Sequence, residues 1–100
     1  MQKLVADFIN EYGLQSDIET RYIDLISEVG ELGKEILKST NYGKQDFCTN
    51  EKIANELGDC FFSLFALCHE LKIDSKEALN NALLKYKTRF LQKGEISSGE

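Results

Sequence analysis

The chain has 100 residues, of which 42% are hydrophobic, and 17 acidic against 12 basic side chains give it a net charge of −5. This length suits one compact domain and is too short for two domains that each bury a core. The acidic balance argues against a nucleic-acid binder, because neutralising phosphates requires a basic surface. We therefore expect a single domain over residues 1–93, with residues 94–100 as a flexible tail.

The cysteine content and the hydropathy pattern indicate a cytoplasmic protein. Three cysteines at positions 48, 60 and 68 are an odd number without CxxC spacing, which fits reduced thiols better than a disulfide framework. We expect Cys60 and Cys68 to pack among apolar neighbours and Cys48 to be exposed in a loop. No apolar run has the length of a signal peptide or a membrane span, so no membrane partner is predicted.

The first half of the chain predicts two helices. There is no proline, and apolar residues recur at intervals of three and four, so the chain is predicted to be all-helical. A first helix is expected over residues 2–12, with Gly13 as its C-terminal stop. The segment SDIE at 16–19 matches a capping box, which predicts Ser16 as the cap of a second helix that continues to Lys38.

The second half predicts a loop and two further helices. Turn-forming residues collect over 39–50, and Thr49 or Asn50 is expected to cap a third helix over 51–71. The segment DSKE at 74–77 is a second capping box and starts a fourth helix at once. Its short connection predicts that helices three and four are antiparallel neighbours. The fourth helix is expected to bury one apolar stripe, formed by Leu79, Leu83, Tyr86 and Phe90.

Two acidic patterns lie along the edges of the buried faces of helices two and three. In SEVGELGKE, Glu28 and Glu31 are three residues apart, and a projection at about 100° per residue places them on one stripe. In ELGDCFFS, Glu56 and Asp59 repeat this spacing on helix three. Side chains at i and i+3 are neighbours on a helix surface, so each pair can address one ion or two adjacent ions.

Helix three also predicts self-association. Its apolar residues spread over an arc of about 220°, which one neighbouring helix cannot cover. We expect the side formed by Phe62, Phe65 and His69 to stay partly exposed in a single chain. A bundle of about four helices is therefore predicted to complete its core as a homodimer or homotetramer. His69 is interpreted as a buried or interfacial residue.

Facing each other across a helical hairpin, the two acidic pairs would form a ligand set made only of oxygen atoms. Such a set suits Mg²⁺, or Mn²⁺, rather than zinc. The competing interpretation is that these acids are solvated surface charges, with Lys34 and Lys52 forming ordinary salt bridges to them. The pattern of residues leaves both interpretations open.

The paired patterns EVGE at 28–31 and ELGD at 56–59, followed by a helix that ends KYKTRF, resemble the MazG-type all-α nucleoside triphosphate pyrophosphohydrolases. The resemblance covers roughly residues 15–91. It implies Mg²⁺-dependent cleavage of nucleoside triphosphates to monophosphate and pyrophosphate. Ser27 stands where that family usually has its first glutamate, and the role of that acid is lost or passes to Asp24 or Glu35.

Site roles follow from the resemblance position by position. The metal ligands and catalytic carboxylates would be Glu28, Glu31, Glu56 and Asp59. On helix four, Asn81, Lys85 and Arg89 recur every four residues beside the apolar stripe and would contact phosphate oxygens or sugar. The alternative for Lys85 and Arg89 is that they are solvated bases that favour the helix dipole. A base-stacking pocket has two candidate pairs, Tyr42 with Phe47 and Phe8 with Tyr12.

Two other functions compete with this hypothesis. Helical pyrophosphohydrolases of similar size act on phosphoribosyl-ATP or on dUTP, and the sequence does not separate these substrates. A non-catalytic helical oligomer that serves as an interaction module, with a vestigial acidic face, is the alternative from another class. Ser27 is the feature that supports this alternative.

Overall fold

The computed structural model describes residues 1–93, which form four α-helices and no strand. Their bounds are α1 Gln2–Tyr12, α2 Ile18–Ser39, α3 Glu51–Leu71 and α4 Ser75–Lys93. The prediction of an all-helical chain with about four helices is confirmed. The predicted tail over 94–100 lies outside the described residues. Within residues 1–93, no helix is both long enough and apolar enough to cross a membrane.

The ends of the first two helices are set by local chemistry. Gly13 ends α1 in the left-handed conformation with φ of 63°, as its lack of a side chain predicted. The predicted cap of α2 was one residue early. Asp17, and not Ser16, is the N-cap, and its carboxylate accepts a hydrogen bond from the backbone N–H of Thr20 at 2.7 Å. A charged acceptor is favoured here, because the helix N-terminus carries partial positive charge.

The last two helices begin where the sequence predicted. Asn50 caps α3 by accepting the backbone N–H of Ile53 at 3.0 Å. The carboxylate of Asp74 accepts the N–H groups of Lys76 and Glu77, at 2.9 Å and 3.2 Å, in the first turn of α4. These side-chain acceptors satisfy donors that the start of a helix leaves without an intrahelical partner.

Helices α2 and α3 pack as an antiparallel hairpin, and α1 crosses one side of α3. Ile9 of α1 is fully buried, and Phe8 meets the ring of Phe62 edge-on with centroids 5.9 Å apart. The side chain of Gln2 joins α1 to the α3–α4 turn. Its amide donates to the carbonyl of Ile73 at 2.9 Å and its oxygen accepts the N–H of Ser75 at 2.6 Å.

Arg21 is the one charged side chain that is buried among the described residues, at 7% exposure. Its guanidinium donates to the carbonyl of Leu14, while its Nε has no hydrogen-bond partner in the described part of the chain. The hydrogen bond fixes the α1–α2 connection against the first turn of α2. This hydrogen bond offsets part of the free-energy cost of burying the Arg21 guanidinium at the edge of the core. The cost of burying its Nε without a partner remains.

Helix α4 departs from the expectation. It makes only sparse contacts with the other helices, so α3 and α4 are not packed neighbours within residues 1–93. Its predicted core stripe is exposed, with Leu79 at 59% and Leu83 at 55%. The short connection fixes where α4 starts and leaves its direction free, which is why connection length alone gave the wrong packing.

The apolar residues of α3 divide into a partly exposed side and a more exposed side. Phe62, Phe65 and His69 are half-buried, because α1 lies along that side. The residues left exposed are instead Leu57, Phe61 and Leu64. The partial exposure of the Phe62 side agrees with the expectation. Which side of α3 stays more exposed depends on the direction from which α1 approaches, and the periodicity of α3 alone does not encode that direction.

Candidate functional site

The antiparallel hairpin brings the acidic pattern of α2 against that of α3. One carboxylate oxygen from each of Glu28, Glu56 and Asp59 lies within 4.8 Å of the other two. Glu56 and Asp59 are neighbours on one helix surface, and Glu28 meets them from the facing helix. Three of the four predicted ligands therefore form one compact group, which we call the acidic cluster.

Glu31, the fourth predicted ligand, lies outside this compact group but remains close enough to affect it. Desolvation raises the pKa of Glu56 above its ordinary value, and the charge of Asp59 raises it further. Glu28, Glu31 and Glu35 add smaller effects in the same direction. Crowded carboxylates disfavour one another's charged forms. A positive charge bound at the cluster would therefore relieve this repulsion.

The acidic cluster fits a divalent cation. Oxygen ligands of one six-coordinate Mg²⁺ lie about 3 Å apart when adjacent and about 4.2 Å apart when opposite, so oxygens that are already within 4.8 Å of one another need only side-chain movements to share one ion. The competing salt bridges are not formed: in residues 1–93, neither Lys34 nor Lys52 pairs with an acid. Lys38 pairs only with Glu35, at 3.3 Å.

The two acids considered as substitutes at the position of Ser27 differ in their surroundings. Asp24 is exposed and does not contribute to the pKa of Glu56. Glu35 is half-buried, pairs with Lys38 and does contribute. Ser27 itself is exposed. Of the two substitutes, Glu35 is therefore the one that interacts with the acidic cluster.

Cys60 adjoins the acidic cluster, which was not anticipated from the sequence. Burial raises the pKa of its thiol, and the charges of Glu28, Asp59 and Glu56 raise it further. These carboxylates therefore disfavour the thiolate form of Cys60. The signal was present in the spacing, since Cys60 is four residues after Glu56 and so shares its side of α3.

The structure does not bring the predicted phosphate-binding residues of α4 to the acidic cluster. Asn81 instead lines a small recess at the α3–α4 turn, together with Lys72 and Asp74. The ammonium of Lys85 lies 5.1 Å from the ring centroid of its neighbour Tyr86. Arg89 follows Lys85 by four residues on the same helix. Because α4 does not pack on the hairpin, one chain alone does not assemble these groups with the acids.

The aromatic candidates for base stacking are separated in the same way. The rings of Phe8 and Tyr12 contact each other on α1, with centroids 4.7 Å apart and ring planes tilted by 49°. Tyr42 and Phe47 are exposed in the loop. A cavity of about 720 Å³ lies elsewhere, between the start of α1 and the α3–α4 turn. No residue of the acidic cluster lines it. The structure therefore favours neither aromatic pair.

The described chain is all-helical, and its α2–α3 hairpin brings together carboxylates from two acidic i, i+3 patterns. The family model described as the MazG nucleotide pyrophosphohydrolase domain matches residues 16–91. The match covers most of the chain, which therefore belongs to the MazG family. No curated protein and no solved structure gives a significant match.

Membership indicates a hydrolase that acts on phosphoric anhydrides of nucleotides. Enzymes of the family are typically dependent on a divalent metal, and the acidic cluster is where such an ion would fit. The resemblance found in the sequence is thereby confirmed.

Proposed function

We propose that this protein is a Mg²⁺-dependent nucleoside triphosphate pyrophosphohydrolase that releases a nucleoside monophosphate and pyrophosphate, with Mn²⁺ as a possible substitute metal. The observation that carries the proposal is the convergence of Glu28, Glu56 and Asp59 within 4.8 Å. A concentration of carboxylates such as this one is the arrangement that metal-assisted phosphoryl chemistry requires.

The proposed chemistry divides between the metal and the chain. Bound Mg²⁺ would neutralise charge on the triphosphate and on the leaving pyrophosphate. Glu28, Glu31, Glu56 and Asp59 would hold the ion, and a carboxylate oxygen left free by it would orient the attacking water. The water oxygen would form a bond to the α-phosphorus while its proton passes to that free carboxylate oxygen. The bond between the α-phosphorus and the α–β bridging oxygen would break, and pyrophosphate would leave with the electron pair of that bond.

Asn81, Lys85 and Arg89 are proposed to bind the phosphate oxygens or the sugar. Their helix is distant from the acidic cluster within one chain, so α4 must be brought to the cluster by moving or by a second copy of the protein. The proposed active form is therefore a homodimer or a homotetramer. Cationic side chains at that position would add charge-assisted hydrogen bonds to the transferred group.

The test is hydrolysis of a panel of ribo- and deoxyribonucleoside triphosphates, including dUTP, and of phosphoribosyl-ATP, with Mg²⁺ present. Both pyrophosphate and monophosphate are measured. We expect Glu56→Gln and Asp59→Asn each to lower kcat/KM by about 100-fold or more with the helix content unchanged, the size of effect seen when one transition-state stabilising group is removed.

Glu70→Gln is the matched control, because it removes a carboxylate from the same helix away from the acidic cluster. Its activity should match that of the parent protein. Selective turnover of dUTP or of phosphoribosyl-ATP would identify the substrate alternative. If the oligomer hydrolyses nothing in the panel with either Mg²⁺ or Mn²⁺, the enzymatic proposal is wrong and the non-catalytic module is favoured.

Metal binding has a test that does not need the substrate. A ligand that binds only the folded state, at 100 times its Kd, stabilises by about 2.7 kcal/mol. For a domain of this size, we expect Mg²⁺ or Mn²⁺ to raise the Tm by several degrees, measured by circular dichroism. Asp59→Asn should lose most of this shift, whereas Glu70→Gln should keep it. An equal shift in both variants would place the ion elsewhere.

A further inference from the structure

The side chain of Gln2 holds the turn between α3 and α4 from both sides. Its amide nitrogen donates a hydrogen bond to the carbonyl oxygen of Ile73 at 2.9 Å, and its amide oxygen accepts one from the backbone N–H of Ser75 at 2.6 Å. Ile73 and Ser75 flank Asp74, so one side chain bridges the residue before the middle of the turn and the residue after it. We call this pair of hydrogen bonds the Gln2 clamp.

The Gln2 clamp completes the hydrogen bonding of this turn. The N–H of Ile73 donates back to the carbonyl of Cys68 at 3.1 Å, which closes the end of α3. The carboxylate of Asp74 accepts two N–H groups in the first turn of α4. These local contacts leave over the carbonyl of Ile73 and the N–H of Ser75, and Gln2 binds both of these groups.

The position of Gln2 in α1 explains how its amide reaches the turn. Gln2 is the first residue of α1, and helix side chains tilt toward the N-terminus, so its amide extends past the end of the helix. The helix itself is held on α3, because Ile9 is fully buried and Phe8 contacts the ring of Phe62. Helix α1 therefore carries the amide from a fixed place on α3 to the start of α4.

The direction of α4 depends on this clamp more than on packing. Within residues 1–93, α4 makes only sparse contacts with the other helices, and the length of its connection to α3 does not set its direction. A cavity of about 720 Å³ lies beside the clamp, so α1 and the turn are joined there by hydrogen bonds and not by close apolar packing. The hydrogen bond to Ser75 is partly buried, so water competes with it less.

We propose that Gln2 is a positioning residue of this protein. By holding both sides of the α3–α4 turn, it fixes the direction of α4 and therefore the place of Asn81, Lys85 and Arg89. The inference rests on the proposed function, in which those three residues bind the phosphate oxygens or the sugar. Gln2 lies before residues 16–91, so the clamp comes from a segment that the family model does not match.

The clamp predicts a specific effect on the kinetics. An α4 that is held in one direction does not swing freely, so its polar residues are presented in one arrangement. Without the clamp, α4 samples several directions, and the apparent affinity for substrate falls in proportion to the fraction of molecules in the competent one. Substrate that is bound in the competent arrangement reacts as before. The expected signature is therefore a raised KM with an unchanged kcat.

The experiment compares Gln2→Met with Gln15→Met in the full-length protein. Methionine has nearly the length and the helix propensity of glutamine, but it lacks the amide that forms both hydrogen bonds. Gln15 lines the same cavity, and its amide donates to Asn10 at 3.3 Å, so the control removes a nearby amide without touching the turn. Residual dipolar couplings of the backbone N–H groups, measured by NMR, report the direction of α4 relative to α2 and α3. We expect Gln2→Met to reduce the couplings of α4 alone and Gln15→Met to keep the parent values.

Steady-state kinetics tests the link between the clamp and the reaction. Pyrophosphate release is measured with Mg²⁺ and the substrate that the nucleotide panel identifies. We expect Gln2→Met to raise KM by about tenfold, the factor that corresponds to the loss of one or two hydrogen bonds, with kcat and helix content unchanged. A loss of folded enzyme would lower kcat instead. Gln15→Met should match the parent protein in both constants.

Amide hydrogen exchange in the unmodified protein tests the clamp without any substitution. The first N–H group of a helix has no intrahelical partner and ordinarily exchanges fast. We expect the N–H of Ser75 to be protected by the oxygen of Gln2, and the corresponding N–H at the start of α2, that of Ile18, to exchange faster. Rates are compared after correction for the intrinsic rate of each residue.

Three results would overturn the inference: parent-like α4 couplings in Gln2→Met, a Ser75 N–H that exchanges as fast as that of Ile18, or a KM that does not rise in Gln2→Met. The proposed function fails separately. If Gln2→Met alters the α4 couplings but the parent hydrolyses no nucleotide, the enzymatic proposal is contradicted and the role of Gln2 in directing α4 stands. An active parent whose KM is the same in Gln2→Met contradicts the inference alone.

Discussion

At the scale of single residues, Glu56 is the group whose ionisation the fold opposes most clearly. Its carboxylate is desolvated and lies among other carboxylates, which raise its pKa above the ordinary value of 4.5. A raised carboxyl pKa means that the folded state binds the proton more tightly than the unfolded state does. The contribution to stability is therefore present at low pH and is lost as the pH rises through the folded-state pKa.

We predict that Glu56→Gln stabilises the metal-free protein at neutral pH, because the amide removes the charge that the fold disfavours. The gain should shrink as the pH is lowered toward 4.5, where the parent carboxyl takes up its proton. The measurement is the Tm of both proteins in metal-free buffer across this pH range. Glu70→Gln, measured in parallel, should not show the same trend.

The Glu56→Gln substitution should have the opposite effect on stability once metal is present. Because the cation favours the carboxylate, Mg²⁺ should stabilise the parent more than Glu56→Gln and so reverse their order. A Glu56→Gln variant that is less stable than the parent without metal would show that the electrostatic interpretation of the cluster is wrong.

At the scale of elements, the start of α2 provides a direct test of which residue caps a helix. The carboxylate of Asp17 accepts the N–H of Thr20, and this hydrogen bond lowers the pKa of Asp17. We predict that Asp17→Ala lowers the free energy of unfolding by about 1 kcal/mol, the usual cost of losing an N-cap, whereas Ser16→Ala has little effect. Urea denaturation at neutral pH measures both.

The contribution of Asp17 depends on its charge. Since its folded-state pKa is lowered, its stabilising effect is present above the unfolded-state pKa and is lost as the pH falls through the folded-state value. The difference between the parent and Asp17→Ala should therefore narrow in acid. If Ser16→Ala lowered the free energy of unfolding more than Asp17→Ala, Ser16 would be the cap of α2, as the sequence predicted.

The sequence predicted element positions well, because helix ends depend on local chemistry. Gly13, Asn50 and Asp74 each act within one turn of their own position, so they mark boundaries without any tertiary information. Ser16 and Asp17 show the limit of this reasoning. Both are good capping residues, and the choice between them depends on backbone geometry at a single residue.

The carboxylates of the candidate site could be predicted from the sequence for the same reason, whereas the position of α4 relative to them could not. The i, i+3 spacing within α2 and within α3 put carboxylates on one edge of each helix, and one hairpin sufficed to bring Glu28 to Glu56. The position of α4 relative to the hairpin depends on contacts between distant residues. Periodicity shows that Lys85 lies beside an apolar stripe, but not which surface that stripe will cover.

At the scale of the whole molecule, the chain buries little apolar surface by itself. The fully buried or nearly buried hydrophobic residues of the described part are Ile9, Ile53 and Ala66. Apolar side chains on one side of the α2–α3 hairpin and on one side of α4 remain exposed to water. The radius of gyration is 16.7 Å, compared with about 13 Å for a compact chain of 100 residues. A domain with so small a core is marginal when alone.

We predict that the Tm rises with chain concentration, because association removes folded monomer from the unfolding equilibrium. For a dimer, each tenfold rise in concentration adds about 1.4 kcal/mol to the free energy of unfolding the pair. Thermal melts over about two decades of concentration would measure this. A Tm independent of concentration, at a mass of one chain, would show that the monomer is self-sufficient.

The loop between α2 and α3 has a consequence for how related chains are compared. Residues 41–50 are exposed, and Asn41, Tyr42 and Gly43 turn the chain with consecutive positive φ angles of 48°, 58° and 90°. The acidic cluster depends on how α2 lies against α3 and not on the path of this loop, and loop length costs little free energy. Evolution can therefore lengthen or shorten the gap between EVGE and ELGD without altering the chemistry, so a relative is better identified by its two short patterns than by the number of residues that separate them.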